Sequence, residues 1–314
     1  MTTGRLAPTP SGFLHLGNAR SFLLAWLWAR SQDGRVVMRI EDIDLPRCKR
    51  EFREEALRDL EWLGLDWDEG PHAGDDIGPY DQSTRFEHYR RALDKLIQAG
   101  KAYPCVCSRK DIEEATRAPH GDEGAVYPGT CRGRFATFAE AAEFAKSPPA
   151  LRYAFDDTPI SFHDEIQGPI TIKPRDLGDF VLWRKDGLPS YQLAVTCDDA
   201  AMGITQVLRG RDLLQSTARQ LALYKALALP APKQWAHVPL MLAQDKRRLA
   251  KRDGDLSLKA LRERGVKPEK IIGLCAHSAG LVQRAEEFSA RALVAAFDVK
   301  QIVRSDSALP EPIA

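Results

Sequence analysis

The stretch Arg5-Leu-Ala-Pro-Thr-Pro-Ser-Gly-Phe-Leu-His-Leu-Gly-Asn18 joins a short apolar start to a turn rich in proline and glycine. After it, residues 21–30 carry Phe, Leu, Trp and Ala at helical spacing, and residues 36–40 form a β-branched run. The stretch is therefore predicted to lie between a strand and a helix. Backbone N–H groups at a helix start lack internal partners and face the positive end of the helix dipole, so we predict a site for a nucleotide phosphate there.

Two residues of this stretch suit a phosphate site. Gly17 allows a close backbone approach to a base or ribose, and His15 can donate a charge-assisted hydrogen bond to phosphate. The same residues also suit an ordinary capped helix start in which the histidine is incidental. The stretch alone does not decide between these two interpretations.

Length and composition are those of an ordinary globular protein. With 314 residues, of which 44% are hydrophobic, the chain can bury a large core and is predicted to hold two or three domains. No apolar run is long enough to cross a bilayer and the amino terminus lacks a signal pattern, which predicts a cytoplasmic protein without membrane contact. Because the net charge is only +1, any contact with nucleic acid must depend on a local basic patch.

The order of patterns along the chain predicts an α/β fold built on a split, Rossmann-like, doubly wound parallel sheet. We assign residues 1–100 to the first half of this sheet, 101–175 to an insertion with its own small core, and 176–255 to the second half. Residues 256–314 are predicted to be helical. The second half includes two predicted strands, residues 180–183 and 238–242, and the last region includes a predicted helix, residues 285–296.

A basic element follows the second of these predicted strands, at residues 246–252 (KRRLAKR). Five of its seven residues are cationic. Such runs are commonly solvated loops. Beside a phosphate site, however, cations stabilise the charge that builds on a transferring phosphoryl group. Composition alone leaves both interpretations open.

Several motifs resemble one known family. Residues 8–18 resemble the HIGH element of class I aminoacyl-tRNA synthetases, and residues 248–252 (RLAKR) resemble their KMSKS loop. The resemblance narrows to the glutamyl group of that family through residues 39–44 (RIEDID), 80–85 (YDQSTR), 179–187 (DFVLWRKDG), 190–194 (SYQLA) and 207–214 (VLRGRDLL).

The resemblance implies adenylate formation, in which a glutamate carboxylate attacks the α-phosphorus of ATP in line and pyrophosphate leaves. This reaction needs positioning and charge stabilisation more than an acid or a base. Matching positions imply that His15, Gly17 and Asn18 bind ATP, which enters with Mg²⁺. They also imply that Lys251 binds ATP and supports the transition-state charge, with His15 as the second catalytic residue. Ala250 departs from the family loop, which usually carries serine at that position.

Glutamate carries two carboxylates and one ammonium group, so its pocket needs guanidinium groups and at least one acid. The two arginines of the pocket are expected to bind carboxylates, in an order that the sequence leaves open. The acid is expected to bind the amino group, and the tyrosine a substrate oxygen. An ordinary surface ion pair between Arg5 and Glu41 is the alternative. By family correspondence, the glutamate-binding residues are Arg5, Ala7, Thr9, Glu41, Tyr191 and Arg209.

Three of the six cysteines, Cys105, Cys107 and Cys131, cluster in the predicted insertion. Without secretory features, this cysteine content does not indicate a disulfide scaffold. Three thiolates suit a structural Zn²⁺ ion. His120 would be the conventional fourth ligand, whereas the spacing C-x-C and Y-x3-C in proteins that this chain resembles implies Tyr127. Three reduced, buried cysteines without a metal are the alternative.

The sequence after Arg252 is short, whereas a standard glutamate–tRNA ligase carries helical anticodon-binding domains there. Together with the cysteine spacing, this resembles the short members of the glutamyl group, which attach glutamate to the queuosine base in the anticodon of tRNA(Asp). The predicted partners are L-glutamate, ATP and queuosine-containing tRNA(Asp), and a monomer is the default expectation. Two alternatives stay open: a ligase that charges the tRNA 3′ end, and a catalytically silent paralogue that binds an amino acid or a nucleotide.

Overall fold

The computed structural model describes residues 1–72, 79–116, 126–242 and 257–308. Its strands are short and alternate with helices along much of the chain. They are β1 (Thr3–Leu6), β2 (Arg35–Met38), β3 (Ala102–Cys105), β4 (Ala150–Tyr153), β5 (Ile160–Asp164), β6 (Gly168–Ile172), β7 (Val181–Trp183), β8 (Gln206–Gly210), β9 (Gln234–Val238), β10 (Met241–Leu242) and β11 (Ser307–Ala308).

The helices follow the apolar periodicity of the sequence. The α-helices are α1 (Leu16–Arg30), α2 (Arg50–Trp62), α3 (Phe86–Gln98), α4 (Arg109–Thr116), α5 (Phe138–Ala145), α6 (Pro174–Leu177), α7 (Tyr191–Ala201), α8 (Leu214–Leu227), α9 (Leu258–Glu263) and α10 (Pro268–Ser278). Short 3₁₀ helices are Gln82–Thr84, Arg211–Leu213, Ala290–Ala296 and Val299–Gln301. Among the helices formed by the described residues, none combines the length and the apolar character that a membrane crossing needs.

Parallel strands form the layer on which the site is built. β1 pairs in parallel with β2, and β8, β9 and β5 pair in parallel in that order. Thr205, just before β8, donates its backbone N–H to the carbonyl oxygen of Thr3 at the start of β1, over 3.0 Å. This contact places the two sheets edge to edge. A parallel layer with helices packed on it confirms the predicted α/β class.

Helix α1 packs on this layer and is buried around most of its circumference. Leu23, Leu24 and Trp26 are fully buried, and α1 packs against α10 as well as against β1 and β8. Gly4 of β1 permits the close approach, because a Cβ atom there would lie 3.0 Å from the Cβ of Ala29. The carboxyl end of α1 is therefore held against β1, so the two elements that flank the opening motif pack on each other.

A second sheet is antiparallel, with the strand order β3–β4–β7. We predicted residues 180–183 as a strand of the returning parallel sheet, and that prediction is wrong, because β7 pairs antiparallel with β4. The two strands and Phe180, just before β7, share an apolar cluster in which the rings of Tyr153 and Phe180 stack with their centroids 5.2 Å apart. This shared core, which sequence periodicity does not reveal, decides the pairing.

The hairpin of β5 and β6 falls in the predicted insertion and nevertheless joins the parallel layer. β5 pairs in parallel with β9 through Asp164 and Trp235, and β6 pairs antiparallel with β5. Asp164 is fully buried, and its Oδ1 accepts the backbone N–H groups of Ile166 (3.0 Å) and Gln167 (2.8 Å). The hairpin therefore brings a fixed, buried carboxylate to the layer that carries the site.

Residues 238–242 were predicted to form one continuous strand, and that prediction is wrong. β9 ends at Val238 and β10 begins at Met241. Pro239, between them, has no backbone N–H to donate to a ladder, so the strand is interrupted there.

The predicted helix 285–296 is wrong for its first part. Residues 285–289 are not helical, and only Ala290–Ala296 forms a 3₁₀ helix. The backbone of Glu286 crosses Gly273 of α10, where a Cβ atom would collide with the Glu286 carbonyl oxygen. Phe288 donates its N–H to the carbonyl oxygen of Glu269 (3.1 Å). Residues 286–288 therefore contact α10 and do not form a helical turn of their own.

Candidate active site

A cavity of about 510 Å³ opens at the carboxyl ends of β1 and β8, beside the start of α1. Both strands begin at the contact between Thr3 and Thr205 and both end at this cavity, so they run in the same direction. This edge of a parallel sheet is the usual ligand crevice of α/β proteins. Nine of the predicted site residues line the cavity together, namely Arg5, Ala7, Thr9, His15, Gly17, Asn18, Glu41, Tyr191 and Arg209.

Arg5 and Glu41 belong to a buried network and do not form a surface ion pair. Asp199 of α7 accepts hydrogen bonds from Arg5 Nε (3.2 Å) and from Arg39 Nη1 (2.6 Å). The fully buried Arg39 also donates from Nη2 to Glu41 Oε1 (3.0 Å). Asp199 and Arg39, which lie behind the cavity wall, therefore fix the side chains that line the cavity, Arg5 and Glu41.

The neighbouring Asp198 extends this network to the motif at residues 80–85. Its Oδ2 accepts hydrogen bonds from Gln82 Nε2 and from the Tyr89 hydroxyl, both over 2.8 Å. Its Oδ1 accepts one from Arg85 Nε over 2.7 Å. Gln82, Arg85 and Tyr89 do not line the cavity, so this motif supports the site from behind.

Arg209, near the end of β8, has a hydrogen bond from each of its guanidinium nitrogens. Nε donates to His237 Nε2 (3.1 Å), and Nη2 donates to Thr217 Oγ1 (2.8 Å). Nη1 donates to the Tyr191 hydroxyl oxygen over 3.5 Å. With only 6% of its surface exposed, Arg209 is held in one orientation at the cavity.

His237 is neutral near neutral pH. Its Nδ1 lies 2.6 Å from Asp164 Oδ2, and both side chains are fully buried. Burial lowers the pKa of His237 to about 4, against the opposing effect of Asp164, and the nearby cations Arg209 and Arg5 lower it further. The single ring proton is therefore on Nδ1, which donates to Asp164, while Nε2 accepts from Arg209.

The charges that line the cavity are incompletely balanced. Burial raises the pKa of the Glu41 carboxyl despite the proximity of Arg39 and Arg5. Burial also lowers the pKa of the Arg209 guanidinium, which contacts no carboxylate among the described residues. A ligand anion at Arg209 and a ligand cation at Glu41 would each favour the ionised side chain. The cavity therefore suits a ligand that carries both signs of charge.

The start of α1 is a capping box. His15 Nδ1 accepts a hydrogen bond from the Gly17 N–H (3.1 Å), and Asn18 Oδ1 accepts one from the His15 N–H (3.1 Å). Asn18 also donates its N–H to the His15 carbonyl oxygen over 2.9 Å. The prediction that the first N–H groups of this helix lack internal partners is therefore wrong for Gly17 and Asn18. The residues that cap the start of α1 therefore also form part of the cavity wall.

The rest of the cavity wall was not assigned to the site from the sequence, although four of its residues lie in the motif at residues 207–214. Arg20 of α1 belongs to it, donating from Nη1 to Ser307 Oγ (2.8 Å) and from Nη2 to the carbonyl oxygen of Pro239. Lys251 and Ala250, with the rest of the basic run, lie outside the described residues. The further lining residues are Arg20, Ser21, Phe22, Leu208, Gly210, Asp212, Leu213, Pro239, Leu240 and Met241.

The three clustered cysteines meet in space. The Sγ atoms of Cys105, Cys107 and Cys131 all lie within 4.8 Å of one another, and those of Cys107 and Cys131 are 3.5 Å apart. A tetrahedral zinc site with Zn–S bonds of about 2.3 Å separates its sulfur atoms by about 3.8 Å. Arg152 Nε donates to Cys105 Sγ (3.2 Å). The donor set and its spacing fit a zinc ion.

The Tyr127 hydroxyl lies within this cluster. It is 3.4 Å from Cys105 Sγ and 3.8 Å from Cys107 Sγ, and its oxygen accepts the backbone N–H of Cys131 over 2.8 Å. His120 lies outside the described residues. Of the two candidates for a fourth ligand, Tyr127 therefore has a position beside the thiols.

The residues behind the cavity wall are those that sequence reasoning missed. One signal was available for two of them, because Asp198 and Asp199 are adjacent acids on a largely apolar helix, and buried charges need partners. Asp164 and His237 give no such signal, since they are 73 residues apart and meet only through the pairing of β5 with β9. The missed residues are Arg39, Asp164, Asp198, Asp199, Thr217 and His237.

Comparison with known proteins gives matches over nearly the whole chain. The family described as tRNA synthetases class I (E and Q), catalytic domain, matches residues 1–310. A Symbiobacterium thermophilum relative named Glutamyl-Q tRNA(Asp) synthetase is 50% identical over 99% of this chain and 96% of its own length. A Glutamate–tRNA ligase of Sulfurihydrogenibium sp. is 41% identical over 85% of this chain and 56% of its own. A solved glutamate tRNA ligase from Elizabethkingia meningosepticum, in complex with its amino acid, has a TM-score of 0.83 and 28% identity over 98% of this chain and 67% of that one.

Proposed function

Because the chain belongs to the class I tRNA synthetases of the glutamate and glutamine group, we propose that it activates L-glutamate with ATP and transfers the glutamyl group to tRNA. The acceptor that we propose is the queuosine base in the anticodon of tRNA(Asp). The name of the 50% identical relative, Glutamyl-Q tRNA(Asp) synthetase, supports this choice, and that relative is matched over 96% of its own length.

The charge pattern of one cavity carries the proposal. Arg5, Arg209 and the buried acid Glu41 line it together, and the third buried arginine of the lining, Arg20, is already bonded to Ser307 Oγ and to the carbonyl oxygen of Pro239. Glutamate presents two carboxylates and one ammonium group, which is the complementary set. In this assignment the arginines bind the carboxylates and Glu41 binds the ammonium group.

Three further residues complete the proposed glutamate pocket. The hydroxyl of Tyr191, which already accepts from Arg209, contacts a substrate oxygen. Ala7 and Thr9 line the same turn after β1, where small side chains leave room for the substrate. All three lie beside the arginine and acid positions, so they set the shape of the pocket and leave its charge unchanged.

The first step forms glutamyl-adenylate. A carboxylate oxygen of glutamate attacks the α-phosphorus of ATP while the bond to the pyrophosphate oxygen breaks, so positioning matters more than proton transfer. We assign ATP, with Mg²⁺, to the α1 end of the cavity, where His15, Gly17 and Asn18 lie. Because Nδ1 of His15 accepts within the cap, the proton of a neutral ring is on Nε2, which can donate to a phosphate oxygen. Lys251 is assigned to the charge of the transition state from its motif.

The second step transfers the glutamyl group. A hydroxyl of the queuosine cyclopentene ring attacks the carbonyl carbon of the adenylate, loses its proton, and AMP leaves with the electrons of the broken anhydride bond. In this assignment the reactive carbonyl of the adenylate joins the glutamate end of the cavity to the α1 end, and the acceptor hydroxyl reaches it there.

We also propose that Cys105, Cys107, Cys131 and Tyr127 hold a structural zinc ion. The cluster has its own small apolar core, so the ion would stabilise the local fold. Metal analysis of the purified protein and of a Cys131→Ser variant tests this. Zinc bound to the unchanged protein and lost from the variant supports the site, and an unchanged protein without zinc after growth in zinc contradicts it.

The function is tested in two stages. ATP–pyrophosphate exchange with glutamate and without tRNA measures adenylate formation, for which glutamine and aspartate serve as controls. Labelled glutamate is then offered to tRNA(Asp) with and without queuosine, each with a blocked 3′ end. Label only on the queuosine-containing tRNA is the expected result.

A ligase that charges the tRNA 3′ end is the second candidate, and the 41% identical relative with that name supports it. Label on tRNA(Glu) with an intact 3′ end, and none on queuosine, would establish that function in place of the first. A complete absence of exchange both with and without tRNA would point to a catalytically silent protein.

A further inference from the structure

We propose that His237 and Asp164 are positioning residues for the glutamate pocket, which fix the guanidinium of Arg209 in the orientation that binds a substrate carboxylate. Neither of the two side chains lines the cavity, so neither touches the substrate. The inference rests on the proposed function, since it concerns how the same pocket recognises glutamate.

The first step of the argument is the division of the Arg209 guanidinium into two edges. Nε and Nη2 form one edge of the planar group, and they donate to His237 Nε2 (3.1 Å) and Thr217 Oγ1 (2.8 Å). Nη1 is on the other edge and is directed to Tyr191, which lines the cavity. Because the planar group is held along one edge, its rotation about the side chain is fixed. The edge with Nη1 is thereby presented to a ligand.

The second step concerns which nitrogen of His237 carries the proton. Asp164 Oδ2 lies 2.6 Å from Nδ1, so the carboxylate binds the proton there and leaves Nε2 as an acceptor. A proton on Nε2 would face the N–H of Arg209 Nε, donor against donor. Asp164 therefore determines whether Arg209 can keep its orientation.

The third step is the rigidity of Asp164. Its Oδ1 accepts backbone N–H groups of Ile166 (3.0 Å), Gln167 (2.8 Å) and His237 (3.3 Å). Gln167 also donates from Nε2 to the carbonyl oxygen of His237 (2.9 Å). The turn after β5 and strand β9 are therefore locked together. The chain of contacts runs from the hairpin, through the imidazole, to the cavity.

Two substitutions of His237 separate positioning from general stability. The amide of glutamine reaches about as far as Nε2, so His237→Gln keeps an acceptor for Arg209 and loses the contact with Asp164. The amide of asparagine reaches only about as far as Nδ1, so His237→Asn keeps a donor for Asp164 and loses the acceptor. His237→Gln removes the contact of Nδ1 with Asp164, and His237→Asn removes the contacts of Nε2 with Arg209 and with Thr217 Oγ1 (3.1 Å). Both variants are expected to lower the melting temperature.

The KM for glutamate in the exchange reaction is the deciding measurement. Losing a hydrogen bond to a charged group predicts a rise of roughly 30-fold for His237→Asn, with the KM for ATP within about twofold of the unchanged protein. His237→Gln is expected to stay within about fivefold for both substrates. Equal rises in the two variants, or a fall in kcat alone, would mean that His237 has only a structural role.

Asp164→Asn tests the tautomer from outside the cavity. The asparagine oxygen can still accept the backbone N–H groups, while its amide nitrogen donates to Nδ1 and moves the ring proton to Nε2, against Arg209. We expect the KM for glutamate to rise as it does for His237→Asn, although Asp164 touches no substrate. An unchanged KM would overturn the relay from Asp164.

Glutamate binding, measured as a rise in melting temperature, distinguishes a failure of the proposed glutamate function from a failure of the positioning proposal alone. A melting temperature of the unchanged protein that rises with added glutamate, and not with glutamine, places glutamate in the pocket whether or not exchange is seen. If the unchanged protein responds and His237→Asn responds equally at each concentration, the positioning proposal alone fails. If the unchanged protein shows neither binding nor exchange, the glutamate function fails and the positioning proposal fails with it.

Discussion

The two ends of the cavity are held in different ways. At the glutamate end, Arg5 bonds to Asp199, and Arg209 bonds to Thr217 and His237, partners that lie on other elements of the fold. At the α1 end, the motif residues bond to one another within three positions of the sequence. The first arrangement is a network of buried charges, and the second is a helix cap. Breaking the first is therefore expected to cost several times more than breaking the second.

The largest effect is expected for Arg209→Ala. In a partly dry pocket, a substrate carboxylate that lacks its guanidinium partner loses about 4 kcal/mol of binding free energy. This loss corresponds to roughly a 1000-fold rise in the KM for glutamate. The measurement is the glutamate dependence of pyrophosphate exchange, with the KM for ATP as the internal control. If the two KM values rise equally, Arg209 does not belong to the glutamate end.

Asp199→Asn tests the network without touching the cavity surface. The substitution keeps the size of the side chain but leaves the buried Arg39 and Arg5 without their shared carboxylate. We expect the free energy of unfolding in urea to fall by about 3 kcal/mol. The matched control is Glu287→Gln, which breaks the exposed pair with Lys267 and is expected to leave the free energy of unfolding nearly unchanged. Equal losses in the two variants would remove the distinction between buried and surface charges.

The pKa of His237 gives the glutamate end a dependence on pH. Burial holds the pKa of the folded protein at about 4, below the ordinary 6.5, so the unfolded chain binds the proton more readily. The stabilisation is complete above about pH 6.5 and is lost as the pH falls towards about 4. Between about pH 7.5 and about pH 5 the loss is about 2 kcal/mol.

The measurement is the difference in unfolding free energy between the unchanged protein and His237→Asn at these two pH values. Asparagine does not titrate, so the difference should shrink by that amount at the lower pH. The pKa of Asp164 is lowered by its hydrogen bond to His237 despite burial, so that carboxylate titrates below this range. A difference that stays constant with pH would show that His237 is not the group that titrates.

The same comparison explains what could be predicted from the sequence. The α1 end is local, so a reading of residues 5–18 predicts the turn, the helix and the position of His15. The lining residues of the glutamate end were placed by motif resemblance, and the structure brings them into one cavity. Their partners could not be predicted, because the contact of Asp164 with His237 depends on the pairing of β5 with β9. The pairing of residues 180–183 was predicted wrongly for the same reason. The observed pairing depends on an aromatic core formed with β4, which is distant in the sequence.

The smallest effect is expected at the α1 end, for Asn18→Ala. Asn18 Oδ1 closes the capping box on the His15 N–H, and loss of such a side-chain contact at a helix start costs about 1 kcal/mol of unfolding free energy. Thr137→Ala is the matched control, because it removes the cap of α5, where Thr137 Oγ1 accepts the Glu140 N–H over 3.1 Å. Both variants should lose similar stability, and only Asn18→Ala should raise the KM for ATP.

Asn18→Asp then separates the cap from the ligand role. Aspartate keeps an oxygen acceptor for the His15 N–H, and its negative charge interacts favourably with the positive end of the helix dipole. Stability should therefore be retained. The added negative charge would lie beside the proposed triphosphate and should raise the KM for ATP, more strongly at low salt than at high salt. A stable variant with an unchanged KM for ATP would assign Asn18 to the cap alone. The nucleotide would then be held by neighbouring groups such as His15 Nε2, and the difference between the two ends of the cavity would concern stability only.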